Sequence, residues 1–201
     1  MTVPPTPGAV LCAYPTGAAS PLLATGWELR ALGPEAVWPD GAWVSSAGGE
    51  EEVVLASAGL FLVLDRGVGA GPASPLSVMA AGVSVMGGLE LSGADGVPTG
   101  LVTGPRLRPA DGLDLRLVGL LLDVGGQQLA TACGASAAGH PAAAAAAALA
   151  TAQRPNAGAG GLDAGAMIFS GRWTAPLRVP AGSHLTASFG HLGSVTLRVA
   201  G

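Results

Sequence analysis

Residues 113–139 read LDLRLVGLLLDVGGQQLATACGASAAG, and the fold follows from them. An alternating run from Leu113 to Leu122 meets an acidic, glycine-rich turn at Asp123, Gly125 and Gly126, and a second run follows from Gln127 to Ala132. Two short strands about such a turn predict a β-hairpin. Next come Gly139, His140 and Pro141, and then an alanine-rich tract from Ala142 to Ala152. Proline is accepted in a first helical turn and alanine is the best helix former, so a helix is predicted to open there, with His140 capping it. A tract so poor in bulk is expected to lie buried and close against a sheet. The tail, Leu162 to Gly201, returns to strands.

Working outward, Ala9–Tyr14 and Val53–Leu64 read as strands. The second lacks alternation, as a strand buried on both faces would. Thr25–Leu32 is a helix or strand candidate, and Trp38-Pro39-Asp40-Gly41 is a turn leading into a short strand, Ala42–Ser45. Pro75–Val85 is read as a helix, Gly87–Leu91 as a strand and the Gly- and Pro-rich Ser92–Gly104 as a loop. No linker or repeat divides the chain, so residues 1–201 are expected to form one domain, with a disordered end over residues 1–8, where three prolines fall. The run Glu50–Glu52 is read as a solvated loop, because consecutive carboxylates in extended chain cannot converge on one ion.

The chain has 201 residues and a formal net charge of −4, which argues against a nucleic-acid surface. It contains no lysine, which excludes a Schiff base or a lysine general base in this chain. Cys12 and Cys133 make no disulfide framework, and with no signal peptide or membrane span in the sequence a reduced, cytoplasmic setting is expected.

Five segments, LDLRLVGLLLDVGGQ, GASAAGHPAAAAAAALA, LDAGAMIFSG, VPAGSHL and HLGSVTLRV, succeed one another in an order and spacing that resemble the fumarylacetoacetate-hydrolase-like superfamily. The resemblance is to the branch of 2-keto-4-pentenoate hydratases and 4-oxalocrotonate decarboxylases. It implies an α+β fold: a mixed β-roll or barrel with few helices. It also implies a divalent cation, Mg or Mn, held by a Glu-x-Glu pair and a third glutamate and stabilising an enolate, assisted by the lysine of a Tyr-Lys-x-Gly element. Here Tyr14-Pro15-Thr16-Gly17 stands at that element, without its lysine. Ser57-Ala58-Gly59-Leu60 stands where Glu-x-Glu would be, Gly88-Leu89-Glu90-Leu91 keeps the third glutamate, and Phe169-Ser170-Gly171 matches an element near the substrate. The resemblance thus implies an N-terminally shortened chain with a degenerate metal site, no metal ligands and no cofactor.

The candidate catalytic residues are Glu90, as acid or base, and Tyr14, as a donor to a carbonyl. The candidate substrate-binding residues are Arg172, Trp173, Ser170, Trp27 and Ser57; an arginine would take a carboxylate or acidic enol, and a tryptophan would stack on a conjugated substrate. The expected function is that of a metal-independent enzyme of secondary metabolism, a cyclase acting on a large apolar, polyketide-like small molecule, with a 4+2 cycloaddition as one such reaction. Two alternatives stand beside it: a hydratase or decarboxylase of 2-hydroxypenta-2,4-dienoate-type substrates using Mg or Mn, and a non-catalytic partner subunit. The resemblance also implies a homodimer.

Overall fold

The computed structural model describes residues 9–16, 26–45, 54–69, 73–152 and 161–201. The early strands are β1 (Val10–Thr16), β2 (Gly26–Leu32), β3 (Val37–Pro39), β4 (Ala42–Val44) and β5 (Val54–Leu64). Helix α1 (Pro75–Ala80) precedes β6 (Val83–Ser92), β7 (Pro98–Thr103) and the two-residue β8 (Arg108–Pro109). The hairpin strands β9 (Gly119–Val124) and β10 (Gln127–Cys133) lead to helix α2 (Ala142–Ala152), and β11 (Met167–Ser170), β12 (Leu177–Val179), β13 (His184–Phe189) and β14 (Gly193–Val199) follow. The architecture is α+β, mostly sheet with two α-helices among the described residues.

The apolar run in β5 becomes the axis of the larger sheet. It pairs antiparallel with β6 from Leu55–Ser92 to Leu64–Val83 and with both β11 and β12 on its other edge. Nine strands join there in the order β2-β1-β11-β5-β6-β7-β3, with β12 and β8 pairing at the side, and the sheet curls into a half-barrel. Five strands in the order β10-β9-β13-β14-β4 form the smaller sheet. Parallel pairs (β1 with β11, β3 with β7, β4 with β14) make both sheets mixed.

Because alternate residues point to opposite faces of a strand, the large sheet has two cores. One face packs under α2 and the smaller sheet, burying Ala58, Leu60, Leu62, Val85, Leu89 and Ile168 with Leu122, Leu185 and Phe189. Ala142, Ala144, Ala145, Ala148 and Leu149 of α2 are buried in it, small enough to bring the helix close to β1 and β11. The other face holds Cys12, Tyr14, Phe61, Met86, Leu101, Met167 and Phe169. Phe61 and Phe169 meet tilted at 4.8 Å between ring centres. Burying each ring stabilises the fold by roughly 2–3 kcal/mol.

The hairpin forms as the alternation predicts around Gly125 (φ 61°) and Gly126 (φ 88°), with the Gly126 amide donating to Asp123 Oδ1 at 2.8 Å. Its first strand is shorter than the alternating run. Residues Leu115–Leu117 form a 3-10 turn after Asp114, whose Oδ1 accepts from the Arg116 amide at 3.1 Å. The helix expected over Pro75–Val85 ends at Ala80, because Gly82 takes a left-handed φ of 83° and turns the chain into β6. That strand starts at Val83, four residues before the expected Gly87. The expected Ser92–Gly104 loop contains β7, where Gly100 leaves room for the Trp38 ring and paired neighbours on both sides supply the ladder. Of the Thr25–Leu32 candidate, Gly26–Leu32 forms strand β2. The readings of residues 1–8 and Glu50–Glu52 lie outside the described residues.

Candidate active site

On β6, Glu90 is paired across β5 with Ser57 and across β7 with Leu101, and all three point into the face that holds Tyr14. Glu90 is 1% exposed, in a sheet interior where a carboxylate needs a partner. The partner comes from the segment after β11. The Trp173 amide donates to the Ala58 carbonyl at 3.0 Å, which keeps the chain beside β5 past the end of the strand. Arg172 sits in that kink at φ 61°. This left-handed conformation costs a side-chain-bearing residue roughly 1–2 kcal/mol and persists only where its surroundings hold it.

What holds Arg172 is its guanidinium. Nε donates to Glu90 Oε1 at 3.0 Å, Nη2 donates to the Gly96 carbonyl at 2.6 Å, and its central carbon lies 4.4 Å from the centre of the Tyr14 ring. The arginine side chain remains 30% exposed, so it is the member of the cluster that reaches solvent. Three buried polar atoms on neighbouring strands lack a well-formed hydrogen bond: Tyr14 Oη, Ser57 Oγ and Glu90 Oε2. Over Glu90 Oε2 lies Gly171, where a Cβ would come within 3.2 Å of that oxygen. A Cβ there would first meet the Phe169 ring, so glycine is what the packing admits, and the oxygen itself is buried.

Burial pushes the Glu90 carboxyl above its ordinary range, opposed by the nearby Tyr14 hydroxyl and the Arg172 charge. Burial also drives the Tyr14 phenol far above the normal range, reinforced by the Glu90 charge, so it stays a neutral O–H donor. Cys12, two residues from Tyr14 and on the same face, is pushed up to about 12 by burial and is an inert thiol. The cluster therefore offers a neutral donor, a carboxyl shifted toward its acid form and a fixed cation.

Trp173 points the other way. It is buried in the opposite core and meets Phe189 edge-on at 6.0 Å, the chain turning between the two residues at the left-handed Arg172. Trp27 packs on that same face, and Ser170 is buried beside Ala13 there. Thus Tyr14, Ser57, Glu90 and Arg172 converge, whereas Trp173, Trp27 and Ser170 do not join them. The Gly96 carbonyl and the close packing of Gly171 on Phe169 were not legible in the sequence; the one available signal was the cluster of glycines in each loop.

The arrangement of strands can be set beside solved structures. 4-Oxalocrotonate decarboxylase from Pseudomonas putida G7, complexed with calcium and acetate, superposes with a TM-score of 0.78 at 23% identity over 94% of this chain and 76% of that one. Fumarylpyruvate hydrolase from Pseudomonas aeruginosa, in complex with Mn2+ and pyruvate, gives 0.72 at 17% identity over 96% and 89%. The chain has the fumarylacetoacetate-hydrolase-like fold. Fumarylacetoacetate hydrolase from Exiguobacterium antarcticum, at 12% identity and a TM-score of 0.73 over 97% of this chain and 76% of that one, shares this fold. No family model matches the sequence, and no curated protein matches it significantly.

Fumarylacetoacetate-hydrolase-like structures with calcium or manganese raise the question of whether these residues fit a divalent ion. Such ions need several oxygen ligands. Glu90 is the one carboxylate of the cluster, and its Oε1 already meets Arg172. Ser57 offers a hydroxyl, and a Cβ on Gly59 would run into the Ser170 carbonyl oxygen. No three His, Cys, Asp or Glu side chains come together among the described residues. The described residues do not fit the ion.

Proposed function

We propose that this chain is a metal-independent enzyme of secondary metabolism that cyclises a large, apolar, polyketide-like substrate. The observation that carries the reading is the Arg172–Glu90 pair beside a Tyr14 hydroxyl that lies near Glu90 but makes no well-formed hydrogen bond, in a face that also holds Phe61, Met86, Leu101 and Phe169. A fixed guanidinium here stands against the cluster's carboxylate. Ring closure of a diene onto an alkene, a 4+2 cycloaddition, forms two carbon–carbon bonds and transfers no proton. It asks of a protein a surface that holds reactive conformers and a donor on the activating carbonyl. Tyr14 is assigned as that donor, Arg172 as a second contact to the oxygen, and Glu90 as the residue that positions Arg172.

The test uses chelator-treated protein with a linear conjugated polyene bearing a carbonyl-activated alkene. Cyclised product is expected to form faster than in buffer, with the rate unchanged by Mg or Mn, and Tyr14→Phe is expected to lower it about a hundredfold. A rate that appears only after Mg or Mn is added sinks the proposal. It would favour a second reading, a hydratase or decarboxylase of 2-hydroxypenta-2,4-dienoate-type substrates, which draws on the calcium, magnesium and manganese held by similarly folded proteins.

A further inference from the structure

The outer face of the smaller sheet carries three side chains in one cross-strand row. Arg198 of β14 is registered with Trp43 of the edge strand β4 on one side and with His184 of β13 on the other. Trp43 is 69% exposed, a large apolar ring left in water. The Arg198 guanidinium carbon lies 5.6 Å from the ring centre. A guanidinium stacked in this way keeps its in-plane N–H donors. No described residue accepts a hydrogen bond from Arg198. Asp40 is occupied elsewhere, with its Oδ1 accepting from the amide and hydroxyl of Thr196 at 2.7 and 2.9 Å. The row borders a concavity of about 530 Å3, half open to solvent, that Ser183, Thr196 and Gly201 also line; its volume falls in the roughly 300–1,000 Å3 of small-molecule sites.

We propose that this concavity binds a planar aryl carboxylate, with its ring against Trp43, its carboxylate on the Arg198 fork and His184 beside it. A bare anion would leave the tryptophan ring in water, and a neutral arene would leave the arginine donors unpaired; one ligand carrying both groups satisfies both. The site is separate from the Glu90 cluster and does not depend on the activity assigned there.

The test is calorimetric titration of the full chain with 2-naphthoate, 2-naphthamide and inorganic phosphate. Saturable binding of one naphthoate per chain is expected, with the amide and phosphate at least about tenfold weaker, the scale of one lost charge-assisted contact. Arg198→Gln and Trp43→Leu should each weaken naphthoate binding about tenfold or more. Arg198→Lys should retain part of the affinity, since it keeps the charge and loses the fork. Glu90→Gln should leave naphthoate binding unchanged. Phosphate binding as tight as naphthoate, naphthoate heats equal to dilution, or full affinity in folded Arg198→Gln would each overturn the proposal.

Discussion

Glu90 carries the sharpest pH prediction. Its folded-state pKa is raised, chiefly by burial, so the native protein holds that proton more tightly than the unfolded chain does. For such a group the contribution to stability is present below the ordinary carboxyl value of 4.5 and is lost as pH rises through the higher folded value. The melting temperature is therefore expected to fall as pH is raised above 4.5, and Glu90→Gln should remove that part of the slope. An identical slope in the variant would place the titration elsewhere. Arg172→Ala is expected to cost about 3–5 kcal/mol in denaturant unfolding at neutral pH, because it strands a buried carboxylate. Among single residues, Tyr14, Ser57 and Glu90 were picked out by the family resemblance, whereas their sharing of a face comes from the strand pairings and was not legible, since β5 shows no alternation. Nor was the divergence of Arg172 and Trp173, since it arises in a kink held by the bond from the Trp173 amide to Ala58, far away in sequence.

Among the elements, α2 shows how a local signal becomes a testable end effect. His140 Nδ1 accepts from the Ala142 amide at 3.0 Å, which only a neutral imidazole can do. Burial, aided by the Arg116 charge, lowers its pKa below 6.5. The cap is thus intact above that value and is lost as pH falls through the folded-state pKa. Thermal melts should show stability declining on acidification below pH 6.5. His140→Asn should flatten that decline, and His140→Ala should cost about 1 kcal/mol at neutral pH. The Gly-His-Pro start and the alanine tract announced this helix because propensity and capping are local. Strand β7 was hidden because Pro98 and Gly100 speak for a loop, while the pairing that makes it a strand comes from β6 and β3.

For the whole molecule, a large sheet built around β5, with the smaller sheet against its β6 and β7, gives a fold shared with proteins of 23% identity or less, and the order of five short segments was enough to read it. Chemistry was less legible than fold, since a missing carboxylate in the sequence says nothing of what fills its place. A ligand that binds the native state raises its apparent stability. Under the proposed function, Mg or Mn at millimolar concentration should leave the melting temperature of the chelator-treated protein unchanged. A rise of several degrees with either ion would count against it.

The close approach of Gly59 to the Ser170 carbonyl also limits what position 59 can become. A carboxylate cannot be introduced at position 59 by one substitution, because even its first carbon would collide with backbone rather than with a movable side chain. Any route to one begins with the path of the 170–173 segment, and until that path shifts each such substitution acts first as a folding defect, whatever chemistry it adds.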